Sequence, residues 1–288
     1  MTITDRVLHV LRVLRRYKFM TAAQIRGLCV PHDKDGSITR EVLRKMRDAG
    51  LAQRRQAEVV NPLSSSNAPV YLPTEAGCCL LATKTGDIGL LLDAVPATAA
   101  WQSYAHFVAV TDLFITLDRA LDSQERVRMN SLYFEHDIVN PSSSDPSTKY
   151  RLYTVVKKEQ PNATEKRVVC VPDAASEIQV GPHRRLYLWE LERGSDTPRR
   201  VAAKKCPGYA GLAETKLFQR ICPQATDFRV IAVCPNAGWR DALRKEVAGK
   251  PAADLWRFAA LDELKKDILH GPAMYTCAEG PGPFVRPE

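Results

Sequence analysis

Apolar residues in the first fifty positions recur at the three- and four-residue spacing typical of amphipathic helices. The spacing of Val7, Leu8, Leu11, Val13 and Leu14 predicts a helix over residues 5–16. Thr21 is a suitable N-cap for a second helix over residues 22–28. A third helix is predicted to begin at Ser37 or Thr39 and to run to residue 49, where Gly50 ends it.

The predicted third helix has two contrasting faces. At about 100° per residue, its apolar side chains cluster on one side: Ile38, Val42, Leu43, Met46 and Ala49. Arg40, Arg44 and Arg47 form a stripe on the opposite side. We therefore expect a helix that packs on the core with one face and presents cations to solvent with the other.

A β-hairpin is predicted after these helices. Residues 51–60 and 69–72 have strand-like composition around a polar tip at 62–67, and a further helix follows over 74–83. This order is that of a winged helix-turn-helix domain. The segment Tyr71-Leu-Pro-Thr74-Glu-Ala-Gly77 also resembles the stretch that ends many bacterial winged-helix domains.

We therefore predict a DNA-binding domain over residues 1–85. Its expected DNA contacts are Thr39, Arg40, Arg44 and Arg47 of the third helix and Arg54 and Arg55 of the hairpin. The alternative is a three-helix packing unit whose arginine stripe is only solvated.

Charge strengthens the nucleic-acid hypothesis. The 288-residue chain has a net charge of +8, and residues 1–60 hold thirteen Lys/Arg against six Asp/Glu. A basic module on a nearly neutral body is typical of polyanion binding. No uninterrupted apolar stretch is long enough for a membrane span and no secretory signal is evident, so we expect a cytoplasmic protein without a membrane partner.

The eight cysteines show no regular spacing and are predicted to be reduced thiols. Cys29 and His32 are the nearest approach to a zinc pattern, and they lack a second pair of ligands.

The length and the 45% hydrophobic content predict a second domain with its own core. Residues 86–100 are predicted as a linker, 101–121 as a long helix, 127–134 as a strand and 140–164 as an exposed insertion around a strand-like stretch at 150–156. The second domain is expected over residues 101–270, followed by a C-terminal tail over 271–288. The fold class predicted for the chain is α+β, with a mixed central sheet in this second domain.

Acidic residues gather on a predicted hairpin of the second domain. Residues 168–180 are interpreted as one strand and 186–192 as the next, joined by a four-residue turn at 181–184. This register puts Asp173 opposite Glu192 and places Asp173, Glu190 and Glu192 on one face, with apolar residues on the other.

Three neighbouring carboxylates repel one another unless a cation joins them. Oxygen ligands suit Mg²⁺ or Mn²⁺, and such an ion could assist phosphodiester cleavage. Lys204 or Lys205, on a helix predicted over 197–206, could stabilise charge on the phosphate. The alternative is an exposed hairpin edge with solvated acids.

Four stretches resemble the replication-relaxation family of mobile-element proteins. They are Val171-Pro-Asp173-Ala, Leu188-Trp-Glu190-Leu-Glu192-Arg-Gly194-Ser, Lys205-x-x-x-Tyr209 and Arg229-Val-Ile-Ala-Val-Cys234-Pro-Asn, and His106 fits the same pattern. The resemblance extends over about residues 5–265. It implies a winged-helix head on a body similar to the PD-(D/E)xK nuclease fold, as in relaxases of the MOB-C class.

The sequence departs from the nuclease pattern at one position. A lysine usually stands two residues after the second acid, where this chain has Glu192. Lys205 is the expected catalytic substitute, although Pro207 and Gly208 are expected to interrupt its helix.

Some residues have two interpretations. Tyr209 could be a nucleophile or a packing residue, and Glu135 could approach the acidic site or end a strand in solvent. His106, His136 and His183 are interpreted as structural.

The resulting hypothesis is a DNA-binding protein of a plasmid or other mobile element that nicks double-stranded DNA with Mg²⁺ or Mn²⁺ held by Asp173, Glu190 and Glu192. Other replication or conjugation proteins and a second copy of the chain are possible partners. The alternatives are a non-enzymatic replication accessory factor and a winged-helix transcriptional regulator.

Overall fold

The computed structural model describes residues 3–56, 68–92, 104–158 and 166–285. The chain divides into two compact units. The first comprises Met1–Asp112 with His136–Ser142, and the second comprises Leu113–Glu135 with Ser143–Glu288. The predicted tip at 62–67 and most of the predicted linker lie outside the described residues.

The described part of the first unit contains helices and one small sheet. Its helices are α1 (Asp5–Tyr17), α2 (Ala22–Cys29), α3 (Ser37–Asp48), α4 (Glu75–Thr85), α5 (Gly89–Leu92) and the first half of α6 (Tyr104–Leu121). Its strands are β1 (Met20–Thr21), β2 (Ala52–Arg55) and β3 (Val70–Pro73), arranged antiparallel in the order β1-β3-β2. The predicted helices and hairpin strands therefore form, with ends that differ by a few residues.

Side-chain caps fix the starts of these helices. Thr21 caps α2 in a full capping box with Gln24, as the sequence predicted for Thr21. The start of α3 differs from the prediction, because neither Ser37 nor Thr39 is its N-cap. Asp33 serves this helix instead: its Oδ2 accepts from the Thr39 backbone N–H at 2.7 Å and from the Thr39 hydroxyl at 2.6 Å.

The apolar face of α3 is narrower than predicted. Leu43 and Met46 are buried, but Ile38 is 39% exposed and Ala49 is also exposed. The reason is that Thr39, with its hydroxyl bonded to Asp33, takes the buried place in the first turn of the helix.

The second unit is built on a mixed five-stranded sheet in the order β10-β9-β8-β7-β4. Its strands are β4 (Val127–Phe134), β7 (Ala174–Val180), β8 (His183–Leu191), β9 (Phe228–Cys234) and β10 (Trp256–Ala260). Neighbours β4, β7 and β8 are antiparallel, whereas β8, β9 and β10 are parallel. The α+β class with a mixed sheet is therefore confirmed.

The helices of this unit in the described range are the second half of α6, α7 (Pro146–Lys149), α8 (Pro198–Thr215), α9 (Ala237–Ala248) and α10 (Leu261–Leu264). Helix α8 makes the crossover that a parallel β8–β9 pair requires. No helix in the described ranges is both long and apolar enough to cross a membrane.

The predicted strand over 168–180 is wrong, because two strands of different sheets occupy it. β6 (Lys166–Cys170) pairs with β5 (Thr154–Lys158) in a separate two-stranded sheet, and β7 begins only at Ala174. Pro172 lies between them and cannot donate to a ladder, so it is a natural point for the chain to leave one sheet and enter the other.

The β7–β8 register also differs from the prediction. Val180 pairs with His183, so Gly181 and Pro182 form a two-residue turn instead of a four-residue one. Gly181 has a φ of +55°, which glycine adopts without strain. The shorter turn moves the pairing by two residues and brings Asp173 beside Glu190 instead of Glu192. A shift of two keeps each side chain on its predicted face.

Helix α8 does not stop at Pro207, contrary to the prediction. It continues to Thr215 and carries Pro207 in its interior. Two glycines let it pack closely on the β5–β6 sheet: a Cβ at Gly208 would lie 3.1 Å from Val169 O, and a Cβ at Gly211 would lie 2.3 Å from Val156 Cγ1.

The predicted C-terminal tail packs against the second unit. Tyr275 exchanges two backbone hydrogen bonds with Phe258 of β10, and Met274 exchanges two with Gly282. The Tyr275 ring lies under the guanidinium groups of Arg240 and Arg244, 3.8 and 4.8 Å from its centroid. These contacts extend the unit through residue 285, where a tail was expected.

Replacing Gly211 with alanine tests the close packing of α8. The new methyl group would meet Val156 Cγ1 at 2.3 Å. We expect Gly211→Ala to lower the free energy of unfolding by about 1–3 kcal/mol, measured by urea denaturation. Gly238→Ala is the matched control, because its Cβ meets nothing closer than 3.5 Å in another helix of the same unit. Equal stability of the two variants would contradict the close approach.

Candidate active site

Glu190 is the centre of the acidic site. It lies on β8, the middle strand of the five-stranded sheet, and is only 2% exposed. Lys205 Nζ lies 2.6 Å from its Oε2, and the Tyr209 hydroxyl donates to its Oε1. Both carboxylate oxygens are therefore bound by side chains of α8.

Lys205 and Tyr209 meet the same carboxylate because they are four residues apart on α8. Residues at this spacing lie on one face of a helix, one turn above the other. Tyr209 is fully buried, and its ring packs edge-on against Trp256 with centroids 5.3 Å apart. Of the two interpretations of Tyr209, the structure shows the packed one, with its hydroxyl donating to Glu190.

Asp173 lies beside Glu190, immediately before β7. Its Oδ2 accepts from the Leu191 backbone N–H at 2.6 Å, and its carbonyl accepts from the Glu135 N–H at 3.0 Å. One carboxylate oxygen of Glu135 lies within 4.8 Å of one of Asp173. Of the two interpretations of Glu135 given by the sequence, the structure therefore supports the one in which it approaches the acidic site.

Glu192 is half-buried and lies just after β8, where its backbone N–H donates to Val233 O at 2.8 Å. Its carboxylate is one of those that raise the pKa of Lys205. The structure thus brings Asp173, Glu190 and Lys205 together, with Glu135 and Glu192 at the margin.

The acidic face of the hairpin is not a solvated edge. Leu186 and Leu188 alternate with Glu190 on β8, and both belong to the buried core that α8 covers. The opposite face is also buried, since Trp189 packs on Phe114 and Phe284. The solvated-edge alternative is therefore wrong.

Burial and charge shift the pKa values of this group in different directions. Burial raises the pKa of Glu190 to about 8, with Lys205 opposing the shift and Asp173 adding to it. Burial alone would lower the pKa of Lys205, but the carboxylates of Glu190 and Asp173 outweigh it and raise that pKa. Lys205 is therefore a cation at neutral pH.

The donor set fits a hard divalent ion only in part. Carboxylate oxygens are the ligands that Mg²⁺ and Mn²⁺ prefer, and Asp173 and Glu135 supply two of them within 4.8 Å of each other. Glu190 fits less well, because Lys205 and Tyr209 already occupy both of its oxygens. A metal ligand role for Glu190 requires one of these contacts to open.

The neighbouring lysine has a different environment. Lys204 Nζ pairs with Asp196 at 2.7 Å, and its side chain is 52% exposed. Of the two lysines considered from the sequence, Lys205 is the one that reaches Glu190.

His136 and His183 have different environments within their own units. His136, in the first unit, is buried between the rings of Phe19 and Phe107, and His183 is exposed at the start of β8. Burial, followed by the charge of Lys18, lowers the pKa of His136 well below its usual value.

The predicted DNA-contacting residues lie on α3 and β2. Arg40, Arg44 and Arg47 are exposed, and so are Arg54 and Arg55. Thr39 differs, because it is 2% exposed and its hydroxyl is bonded to Asp33. It is held inside the unit and is not part of the exposed face.

Acidic residues interrupt the arginine stripe. Arg44 pairs with Glu41 at 2.8 Å and with Asp48 at 3.1 Å, and Arg47 pairs with Asp48 at 3.0 Å. Such exposed pairs contribute only about 0–1 kcal/mol each, so an external phosphate can compete for these arginines.

The described residues thus include an exposed basic helix in the first unit and a buried acid–lysine contact in the second. The chain belongs to the replication-relaxation family, whose model matches residues 11–224. The family resemblance of the sequence motifs is thereby confirmed. Membership indicates a replication-associated function in mobile elements. No curated protein and no solved structure matches the chain.

Removing the Lys205 cation tests the buried pair. Lys205→Met leaves a buried carboxylate without its counterion, and we expect a loss of about 3–5 kcal/mol in unfolding free energy at neutral pH. Lys204→Met is the matched control and should cost less than about 1 kcal/mol. Equal losses from both variants, measured by urea denaturation, would contradict the pairing.

The loss in Lys205→Met should also depend on pH. Unfolded Glu190 releases its proton near a pKa of about 4.3, whereas burial raises its pKa in the folded chain. The folded variant therefore keeps a proton that the unfolded chain has lost, and its stability falls as the pH rises above about 4. Wild-type Glu190 also keeps its proton up to its folded pKa of about 8, so the stability gap to wild type should stay nearly constant between pH about 5 and pH about 7 and widen above pH about 8.

Proposed function

We propose that this protein binds duplex DNA of a mobile element through its first unit and nicks it, with a divalent metal ion, at the acidic site of its second unit. The observation that carries the proposal is the contact between Lys205 and Glu190 beside Asp173. It supplies, from α8, a cation beside the carboxylates of a sequence whose nuclease pattern has Glu192 in place of the usual lysine.

The order of elements in the first unit supports a winged helix-turn-helix domain. Helix α1, strand β1, helices α2 and α3, and strands β2 and β3 follow one another along the chain. The exposed arginines of α3 are the proposed groove contacts, and Arg54 and Arg55 of β2 are the proposed backbone contacts.

The acidic site supports phosphodiester chemistry. A Mg²⁺ or Mn²⁺ ion held by Asp173 with Glu190 or Glu192 would polarise the phosphate and lower the pKa of a bound water. Lys205 stays protonated, because the neighbouring carboxylates raise its pKa, so it stabilises charge on the phosphate and does not act as a base. Tyr209 holds the Glu190 carboxylate in place and is not the nucleophile.

One observation favours a second candidate function. Because both Glu190 oxygens are already bound by Lys205 and Tyr209, the site is also stable as a purely structural contact. The chain would then be a replication accessory factor that binds DNA without cleaving it.

Cleavage of supercoiled DNA separates the two functions. With Mg²⁺ or Mn²⁺, wild type should convert supercoiled DNA from its own genetic neighbourhood to open circles. Asp173→Asn and Glu190→Gln should lower the rate by at least about 100-fold, and Lys205→Met by about 10²–10³-fold, because a preorganised charge at the phosphate is lost.

Two controls accompany this assay. Lys204→Met should keep the wild-type rate, since its partner is Asp196, and EDTA should abolish cleavage by every variant. Stable, DNA-binding wild type that leaves the supercoiled substrate intact under all metal conditions would contradict the nickase and favour the accessory factor.

Substitution of the α3 arginines tests the DNA-binding face. Arg44→Ala should weaken binding to the preferred duplex most, by about 1–3 kcal/mol, because Arg44 lies at the centre of the stripe. Arg12→Ala, on the exposed side of α1, is the arginine control and should have a smaller effect. Fluorescence anisotropy on a labelled duplex measures both. Equal affinities for Arg44→Ala and wild type would contradict groove contact by α3.

A further inference from the structure

Three arginines gather where the parallel strands of the second unit begin. Arg185 lies on β8, Arg229 on β9 and Arg257 on β10. In the strand register Tyr187 pairs with Arg229, and Ile231 pairs with Arg257. Because side chains alternate along a strand, the three arginines lie on one face of the sheet. We call them the arginine cluster.

The arginine cluster lies on the face opposite to α8. Phe228, Val230 and Trp256 alternate with its members and belong to the core that α8 covers. The cluster is therefore on the other side of the sheet from the Lys205–Glu190 contact. Neither the acidic site nor the arginine stripe of α3 includes any of its members.

One carboxylate is shared between two members of the cluster. Asp227 Oδ1 lies 3.4 Å from Arg185 Nε, and Asp227 Oδ2 lies 3.0 Å from Arg229 Nη1. Arg257 Nη1 donates only to backbone carbonyls in the described residues, those of Asp254 and Trp256, each at 2.8 Å. Three guanidinium groups are thus balanced by one directly paired carboxylate.

Two observations show that these charges are incompletely balanced. Arg229 Nε is buried and has no acceptor among the described residues. Burial, followed by the charges of Arg229 and Arg185, lowers the pKa of Arg257, although Asp254 opposes the shift. The three guanidinium groups therefore repel one another, which an added anion would relieve.

We infer that the arginine cluster is a second contact for the phosphate backbone of DNA, made by the second unit independently of α3. This inference rests on the proposed DNA-binding function. The planar guanidinium group binds phosphate oxygens in pairs, and arginine contacts of this kind fix the position of DNA without reading its sequence. The side chains are accessible for it, with Arg185 47% exposed and Arg229 22% exposed.

The salt dependence of DNA binding tests the inference. The logarithm of the binding constant falls linearly with the logarithm of the salt concentration, and each phosphate contact makes this fall steeper by about 0.9. Binding of the full chain to a labelled duplex is measured between about 50 and 200 mM salt. In the double variant Arg185→Ala/Arg257→Ala the magnitude of the slope should be smaller than in wild type by about two. Arg220→Ala, an exposed arginine of the Leu217–Arg220 turn in the same unit, should leave the slope unchanged.

Arg257→Lys is the conservative control for misfolding, because it keeps the positive charge and loses only the planar guanidinium group. Its salt dependence of DNA binding should be nearly as steep as that of wild type, and circular dichroism melting should show all variants folded. An unchanged slope in the folded double variant would overturn the inference and leave the DNA-binding proposal standing. Absence of DNA binding by wild type would overturn both.

A small phosphate ligand is the alternative to the DNA backbone, because it offers the arginine cluster the same phosphate oxygens. Inorganic phosphate at millimolar concentration is the probe, with chloride at equal ionic strength as the reference. If phosphate raises the melting temperature of wild type but not of the double variant, while the DNA slope is equal in both, the cluster binds a small phosphate ligand and the DNA contact is overturned.

Discussion

A buried carboxylate bound by a lysine and a tyrosine joins the central sheet of the second unit to its long helix. Leaving Glu190 charged and unpaired in this core would cost several kcal/mol, so Lys205 and Tyr209 must be held within hydrogen-bond reach. Helix α8 meets that requirement because Gly208 and Gly211 let it lie directly on the β5–β6 sheet. The same contact places a cation beside the acids on which the proposed chemistry depends.

Local pattern was enough to predict much of this arrangement. The strand over 127–134 and the helix start at Thr197 were predicted from neighbouring residues, and the structure has β4 over Val127–Phe134 and an α8 that Thr197 caps. The shared face of Asp173 and Glu190 was also predictable, because side-chain alternation survives an error of two residues in register. The family resemblance of the motifs was predicted from the sequence and is shown by the family model.

Features that depend on distant parts of the chain were not predictable in this way. The sequence shows Pro207 as a helix breaker, but packing of α8 on both sheets keeps the helix intact around it. The Lys205–Glu190 contact joins a strand and a helix that only the crossover brings together. Sequence spacing therefore gave no reason to prefer Lys205 over Lys204.

Metal binding by the acidic site is the most direct test of the central claim, because a nickase requires it and a structural contact does not. The melting temperature of the full chain, measured as Mn²⁺ is added without DNA, should rise to a saturating value, since a ligand of the native state stabilises it by mass action. Asp173→Asn should abolish this rise. An unchanged melting temperature of wild type across the titration would contradict the account.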